Sequence, residues 1–252
     1  EIDLFLREKG FVRAAMEMTE YGWGDALYVR PIVSILLTTY NGQDTIGGSI
    51  VSVLKQDFPC FELLVGLNGC MDKTIDVVKG FSDSRIRIFE FANPNRVSTL
   101  NTLLHSALGK WIAIQDDDDI WFQGKLKEQL RVVGNSDVCG TEICYFGEKN
   151  CAGPILAKTH EQITKALQTG DNQIANSSVI CRKSKILEVG GWRDYLVEDY
   201  DLWMRLLNTG AKFVNAPQVL VKHFIGKTHF NKNPETQNDM NTLKKIHGVG
   251  KP

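Results

Sequence analysis

Four consecutive carboxylates, Asp116 to Asp119, follow directly on the apolar run Trp111–Gln115. Like charges this close repel one another. A hard divalent cation such as Mg²⁺ or Mn²⁺, which binds carboxylate and phosphate oxygens, would offset that repulsion. Two alternatives need no ligand: a solvated acidic turn, or an N-cap formed by Asp119 before a helix over about 123–133. We interpret the run as a site for a divalent cation with a bound phosphate.

A second acidic pair, Glu198-Asp199, stands at the start of a predicted helix over 198–207. Carboxylates at a helix N-terminus interact favourably with the helix dipole, and this alone explains the pair structurally. A carboxylate within hydrogen-bond reach of an attacking hydroxyl can also accept its proton. Because two acid sites supply what transfer from a diphosphate to a hydroxyl requires, we favour general-base chemistry at this pair.

The elements that must position these acids alternate between strand and helix. Strands are predicted over 32–37, 61–67, 86–91 and 111–114, and helices over 46–54, with Asp44 as a cap, 72–81 and 96–108. This alternation indicates an α/β fold with a mostly parallel sheet flanked by helices. Ligands bind beyond the carboxyl ends of such strands. We therefore expect the polar segment Thr38–Gly42 and the acids to share one cleft.

The rest of the chain is less regular. Strands are predicted over 137–146 and 177–182, an extended segment over 213–224, a last helix from Asn233-Pro234-Glu235, a short helix from Phe11 to Met18 and a glycine-rich turn at 21–24. We divide the chain into an N-terminal extension (1–30), a first half (31–135), an irregular second half (136–232) and a C-terminal helix and tail (233–252).

Composition excludes several classes of protein. The 252 residues are 43% hydrophobic with a net charge of −1, which gives no electrostatic reason to expect nucleic acid as a partner. The six cysteines include no Cys-x-x-Cys pair and indicate a reduced, cytoplasmic setting. No apolar stretch approaches the roughly 18 residues of a membrane span, and no signal peptide is visible.

Four motifs then stand out in chain order: Val33–Gly42, Gln115–Asp119, Gly190-Gly191-Trp192 and Glu198–Trp203. Together they resemble the family 2 glycosyltransferases of GT-A fold, over roughly residues 31–230. The resemblance implies a single Rossmann-like domain. Its first half would bind a nucleotide-diphospho-sugar donor, and its irregular second half would bind a glycan or glycoconjugate acceptor and carry the catalytic base.

The resemblance also implies roles for individual residues of the donor site. Thr38, Tyr40 and Asn41 would contact the base and ribose of the nucleotide. Asp118 would bind an Mn²⁺ or Mg²⁺ ion that is held with the donor diphosphate, and Asp116 or Asp117 would make ribose contacts or further metal contacts. Arg96 could reach the donor or be a solvated helix end. On the acceptor side, Asp199 matches the general base, with Glu198 and Trp203 in support.

Two positions depart from the family pattern. Asn68 stands where family members usually carry an acid that pairs with the nucleotide base, and an amide both donates and accepts. Near the carboxyl end, the family's histidine segment is altered. His223 or His229 could substitute on the metal, with Lys227 on phosphate, or these histidines could be ordinary surface residues.

We expect a metal-dependent, inverting and non-processive glycosyltransferase. Inversion is favoured because one base and no second nucleophile are evident. Non-processive transfer is favoured because the chain has neither a membrane span nor the Gln-x-x-Arg-Trp segment that is typical of processive synthases. The enzyme would be cytoplasmic, or peripheral to a membrane if its acceptor is lipid-linked. The alternative is a non-catalytic nucleotide-sugar- or glycan-binding domain that keeps the fold. A nucleotidylyltransferase is disfavoured because Gly47-Gly48 lies in a helical pattern without a neighbouring basic residue.

Overall fold

The computed structural model describes residues 2–20, 24–226 and 234–249. The strands are β1 (Val12–Met18), β2 (Gly24–Val29), β3 (Val33–Thr39), β4 (Phe61–Asn68), β5 (Ile86–Phe91), β6 (Trp111–Asp116), β7 (Ile120–Trp121), β8 (Val138–Gly147), β9 (Cys151–Ala152), β10 (Ile180–Arg182) and β11 (Phe213–Ile225). The helices are α1 (Ile2–Glu8), α2 (Ile46–Leu54), α3 (Thr74–Lys79), α4 (Arg96–Ser106), α5 (Lys125–Val132), α6 (His160–Gln168), α7 (Lys183–Glu188), α8 (Glu198–Asn208) and α9 (Pro234–Ile246).

In the part of the chain that the structure describes, nine strands form one sheet in the order β5-β4-β3-β6-β10-β8-β11-β7, with β9 paired to β8. The neighbours from β5 to β6 are all parallel. In the second half β10 runs antiparallel to both β6 and β8, and β11 runs parallel to β8. The predicted α/β sheet is confirmed, and each antiparallel pair within this sheet includes at least one strand of the half predicted to be irregular.

The central strands are buried on both faces, which explains their continuous apolar sequences. Every residue of β3 and β4 is buried. Side chains alternate between the faces, so Leu36 joins one core while Ile35 and Leu37 join the other. Helix α2 covers the second core, and helices α4 and α8 cover the first. These two cores hold the strand ends in a fixed arrangement.

Two predictions about helices were wrong. The segment from Phe11 to Met18 has strong helix formers but is largely strand β1, because it pairs antiparallel with β2 and buries Val12 at 2% exposure. Tertiary pairing here outweighs local propensity. The N-cap of α2 is Thr45, not Asp44. Of the predicted turn at 21–24, residues 21–23 lie outside the described residues, and Gly24 begins β2. Among the described helices, none is long and apolar enough to cross a membrane.

Candidate functional site

The ends of β3, β4 and β6 and the start of α4 surround a cleft of about 350 Å³. Its lining consists of Thr38, Thr39, Tyr40, Asn68, Pro94, Arg96 and Asp117. Five of these seven residues, Thr38, Tyr40, Asn68, Arg96 and Asp117, were named from the sequence as candidates for the donor site. The parallel strands bring them together because their carboxyl ends meet at one edge of the sheet.

Arg96 lies at the centre of the site as the first residue of α4. The helix begins there because the Asn95 side chain caps it, accepting from the Ser98 N–H at 2.7 Å. The guanidinium donates from Nη2 to Asp116 Oδ1 and from Nε to Glu198 Oε1, each at 2.8 Å. Arg96 is therefore not a solvated helix end but a link between the two acid sites.

The electrostatics of this link favour a permanently charged arginine. Burial by itself lowers the pKa of Arg96, but the attraction of Glu198 and Asp116 outweighs burial and raises that pKa above its ordinary value. A third contact, from Nη1 to Thr38 Oγ1 at 3.2 Å, joins the arginine to the end of β3. The planar fork thus fixes three elements at once.

The four consecutive acids occupy four different environments. Asp116 accepts from Arg96 and, at 3.1 Å, from Asn176 Nδ2. Asp117 accepts from the Thr39 hydroxyl, in a space that a side chain at position 42 would fill. Burial raises the pKa of Asp117 despite that hydrogen bond.

Asp118 has the most perturbed carboxyl of the cluster. Burial, reinforced by the negative charges of Asp119, Asp116 and Asp117, raises the pKa of Asp118 to about 7. A carboxyl in this surrounding would be stabilised in its charged form by a cation. Asp118 is thus the member of the run whose environment most favours a bound metal.

Asp119 is fully buried and holds the second half of the sheet against the first. Its Oδ1 accepts from the Phe224 N–H at 2.8 Å, and its Oδ2 contacts His223 Nδ1 at 2.9 Å and the Ser177 hydroxyl. The interpretation of Asp119 as a helix cap was wrong, since α5 begins at Lys125. The buried carboxylate instead forms tertiary hydrogen bonds.

The contact with Asp119 brings His223 beside the acidic cluster. Burial lowers the pKa of His223, but the hydrogen bond to Asp119 and the nearby carboxylates outweigh it and raise that pKa above the usual value. The other two residues considered with it, Lys227 and His229, lie outside the described residues.

The cluster fits a divalent cation that shares its coordination with a substrate. Across residues 2–20, 24–226 and 234–249, no three His, Cys, Asp or Glu side chains converge as a complete metal site. Mg²⁺ commonly uses one or two carboxylates and takes its remaining ligands from substrate phosphates and water. Asp118 could hold such an ion. Asp116 could do so only through an oxygen it shares with Arg96 or Asn176.

The second acid pair opens α8, and its first member, Glu198, contacts the same arginine. Asp199 Oδ2 accepts from Asn172 Nδ2 at 3.0 Å, and Asp199 Oδ1 accepts from the Tyr200 N–H at 2.7 Å. Burial, followed by the charge of Glu198, raises the pKa of Asp199 to about 7. Such a carboxyl exchanges a proton readily near neutral pH. Trp203 is buried in the core against which α8 packs.

The remaining predicted residues lie around the cleft. Tyr40 is 49% exposed at its edge. The Asn41 side chain accepts from the Met71 N–H at 2.8 Å, which joins the loops after β3 and β4. Asn68 accepts through Oδ1 from the Asn95 N–H at 2.7 Å and from Thr99 at 3.1 Å. Toward the cleft, Asn68 therefore offers an N–H donor.

Four side chains of the described site were not predicted from the sequence: Thr39, Pro94, Asn172 and Asn176. Thr39 ends a buried strand beside the predicted Thr38, so its position was a usable signal. Asn172 and Asn176 come from the loop before β10 and reach acids 27 and 60 positions away. No local pattern marks them.

Comparison with known proteins agrees with this geometry. The sequence model for Glycosyl transferase family 2 matches residues 34–185. The chain belongs to this family. It is 30% identical over 207 residues to the Escherichia coli UDP-Glc:alpha-D-GlcNAc-diphosphoundecaprenol beta-1,3-glucosyltransferase WfgD, covering 80% of each chain. With WfaP, of the same description and organism, it shares 27% over 219 residues, covering 85% of this chain and 86% of WfaP.

Solved structures confirm the GT-A fold of this family 2 member. The Staphylococcus aureus TarS structure in complex with UDP-GlcNAc superimposes with a TM-score of 0.73 at 17% identity, covering 86% of this chain and 65% of that one. The mannosyltransferase PcManGT from Pyrobaculum calidifontis, solved with GDP-Man and Mn²⁺, gives a TM-score of 0.63 at 17% identity, covering 80% of this chain and 59% of that one. The chain therefore spans less than two thirds of these solved chains.

Proposed function

We propose that this chain is a metal-dependent, inverting glycosyltransferase that moves one sugar from a nucleotide-diphospho-sugar to a hydroxyl of a separate acceptor. The observation that carries the proposal is the double ion pair of Arg96 with Asp116 and Glu198. It joins Asp116 of the acidic cluster and Glu198 of the second pair through one residue that lines the cleft. A diphosphate leaving group and an attacking hydroxyl need these two acidic sites close together.

The first half, 31–135, would bind the donor. Thr38, Tyr40 and Asn68 line the cleft that would receive the nucleoside, and Asn41 bonds to the loop beside them. Asp118, with His223 beside the cluster, would hold Mn²⁺ or Mg²⁺ on the donor diphosphate. When bound, that ion neutralises negative charge that develops on the leaving phosphates.

In the second half, 136–232, Asp199 would accept the proton of the acceptor hydroxyl. Its raised pKa leaves it partly ionised near neutral pH and basic enough to take a proton. Glu198 is held by Arg96 at 2.8 Å, so it supports the base rather than serving as a free nucleophile. With one available base and no second free carboxylate in the pair, direct displacement with inversion at the sugar carbon is favoured.

The acceptor proposed first is a lipid-linked sugar diphosphate. WfgD and WfaP are both named for a GlcNAc-diphosphoundecaprenol acceptor. An enzyme acting on such a molecule would work at a membrane surface, as a peripheral protein. The donor proposed first is UDP-glucose, for the same reason.

The test is transfer itself. The protein is incubated with Mn²⁺, one donor of a panel (UDP-Glc, UDP-GlcNAc or GDP-Man) and a short-chain GlcNAc-diphospholipid, and the released nucleoside diphosphate and the glycosylated lipid are measured. We expect a β-linked product from at least one UDP-sugar. Donor binding without transfer or hydrolysis across the panel would instead indicate a binding domain. An α-linked product from an α-linked donor would overturn inversion.

A further inference from the structure

Helix α9 contacts the chain on both sides of the Glu198-Asp199 pair. Asp239 Oδ2 accepts from the Leu196 N–H at 2.8 Å, two residues before Glu198. His247, in the turn that follows α9, lies with Nε2 at 3.1 Å from Asp201 Oδ1, two residues after Asp199. The two acids are therefore bracketed by contacts from one C-terminal element.

The contact at Asp201 is buried and uses both carboxylate oxygens. Asp201 has no exposed surface, and its Oδ2 accepts from Arg205 Nε at 2.8 Å. Arg205 in turn donates to the Val189 carbonyl at 2.7 Å. With His247 on the other oxygen, the rotation of the first turn of α8 is fixed against its neighbours. A buried carboxylate with fixed partners is a rigid anchor.

A third contact lies near the residue that holds the Asp199 carboxylate. The Lys244 side chain of α9 lies over Gly170, so that a β-carbon at position 170 would have to displace the flexible end of the lysine. Gly170 lies two residues before Asn172, whose amide donates to Asp199. Helix α9 thus supports both the helix that carries Asp199 and the loop that holds its carboxylate.

The start of α8 needs such support from elsewhere. Val197 occupies its N-cap position, and no side chain caps the helix there in the part of the chain that the structure describes. The first turn nevertheless carries three acids, Glu198, Asp199 and Asp201. Asp239 does not cap the helix itself, but it accepts from the N–H of Leu196, the residue before the N-cap, and so fixes the chain where it enters the helix.

We propose that α9 is a positioning element for the catalytic pair, with Asp239 and His247 as its positioning residues. The proposal rests on the proposed role of Asp199 as the base. Neither Asp239 nor His247 would touch donor or acceptor. Their function is to keep the segment 193–201 in the one conformation that presents Asp199 to the acceptor hydroxyl.

Three variants test the role of Asp239. Asp239→Ala removes the acceptor for the Leu196 N–H, Asp239→Asn keeps one through its amide oxygen, and Asn241→Ala changes an exposed residue of the same helix. We expect Asp239→Ala to lower kcat about tenfold or more, since small displacements of a catalytic group have such effects. Donor KM and the affinity for UDP with Mn²⁺ should stay within about twofold. Asp239→Asn should restore most of the rate, and Asn241→Ala should match the wild type.

Amide hydrogen exchange gives a readout independent of turnover. In Asp239→Ala, peptides covering 193–201 should exchange faster than in the wild type, while peptides of β3 and β6 should not change. His247→Ala should accelerate exchange in the same peptides. A melting temperature for each variant shows whether the fold is intact.

The outcomes distinguish a failure of the positioning proposal from a failure of the proposed function. If Asp239→Ala transfers sugar at the wild-type rate and its 193–201 segment exchanges like the wild type, α9 does not position the pair. If Asp239→Ala weakens donor binding as much as turnover, it acts on the donor site and the proposal is again wrong. If the wild type transfers no sugar from any donor, the proposed function fails instead, and the exchange measurement still decides whether α9 holds this segment.

Discussion

Arg96 and Glu198 are 102 positions apart in the chain, yet they form an ion pair of 2.8 Å through an arginine that lines the cleft. The same guanidinium holds Asp116 at 2.8 Å. Asp116 and Glu198, which we propose to lie on the donor and acceptor sides, therefore share one planar group as their ion-pair partner.

Arg96→Lys should lower transfer at least about tenfold although it keeps the charge. A lysine ammonium cannot supply the flat set of donors that Asp116, Glu198 and Thr38 now share. Initial rates at saturating donor give the comparison, with the exposed Arg131→Lys as control. A rate for Arg96→Lys equal to the control would show that only charge matters at this position.

Asp118→Asn should abolish Mn²⁺-dependent donor binding and leave the fold intact. The amide lacks the negative charge that attracts the cation, and the side chain is half-buried at a strand end rather than in the core. Titration calorimetry with UDP, with and without Mn²⁺, measures the effect. Unchanged affinity in both conditions would remove Asp118 from the metal site.

Asp119→Ala is the matched contrast to Asp118→Asn. It removes a fully buried carboxylate that accepts from Phe224 and contacts Ser177 and His223. We expect a loss of about 3 kcal/mol in the free energy of unfolding, because buried donors lose their partner. Urea denaturation measures it. Equal stabilities for the two neighbouring variants would contradict the different roles assigned to the two acids.

Asn68→Asp should increase the preference for uridine diphosphate over guanosine diphosphate. One carboxylate oxygen can still accept from Asn95, as the amide oxygen does now at 2.7 Å, and the other would present an acceptor to the cleft in place of the N–H donor. Such an acceptor suits the N3–H of uracil. Competition binding of the two nucleoside diphosphates measures this preference, with the exposed Asn150→Asp as control. An unchanged or reversed preference in Asn68→Asp would show that the Asn68 side chain does not face the nucleotide base.

Much of the first half could be predicted from sequence because its signals are local. The apolar segments at β3 and β4 predict buried strands without knowledge of their neighbours, and the polar ends of parallel strands must meet. The strand at Val12–Met18 could not be predicted, since its Ala, Met and Glu residues favour a helix until β2 pairs with them.

The limits at the site have the same physical origin. The sequence marks the acidic run as unusual. It does not show that Asp116 contacts Arg96, that Asp117 lines the cleft or that Asp119 is buried, because these environments depend on residues far away in sequence. Asn176 reaches Asp116 across 60 positions, and His223 reaches Asp119 across 104. These groups come together only in the packed sheet, so their contacts cannot be predicted from their spacing along the chain.

Lys125 should make the stability of the protein depend on pH. Its amine is fully buried, donates to Gln129 Oε1 at 2.8 Å and lies 3.8 Å from the centre of the Trp121 ring. Burial lowers the pKa of this amine well below its ordinary value. Between the folded pKa and the unfolded value of about 10.4, the unfolded chain binds more protons, so this group makes stability rise with pH.

Replacing that amine should flatten the pH dependence. Lys125→Met should gain stability relative to the wild type as pH falls from about 10 to 7, by up to about 1.4 kcal/mol per pH unit. Urea unfolding at three pH values measures the slope, and the exposed Lys127→Met should follow the wild type. Parallel curves for Lys125→Met and the wild type would show that Lys125 keeps an ordinary pKa.

Asp199 should determine the acidic limb of the pH–rate profile. Its pKa, raised to about 7 by burial and by Glu198, means that the carboxyl is protonated below that pH and cannot accept the hydroxyl proton. We expect kcat/KM to rise with pH through about 7 and then level off. This parameter reports the pKa values of the free enzyme, so it should follow the deprotonation of Asp199. A profile that is flat from pH 5.5 to 8 would place the base elsewhere.

Asp199→Asn tests the same residue by substitution. The amide keeps a hydrogen-bond acceptor but cannot take a proton, so transfer should fall at least about a hundredfold while donor affinity stays within a few-fold, as expected for an interaction made in the transition state. The acidic limb near pH 7 should vanish from any residual activity. Glu198→Gln should be milder, because Glu198 acts through its contact with Arg96, and the exposed Asp194→Asn should behave as the wild type. Near wild-type transfer by Asp199→Asn, or a loss of donor binding in it, would show that Asp199 is not the base.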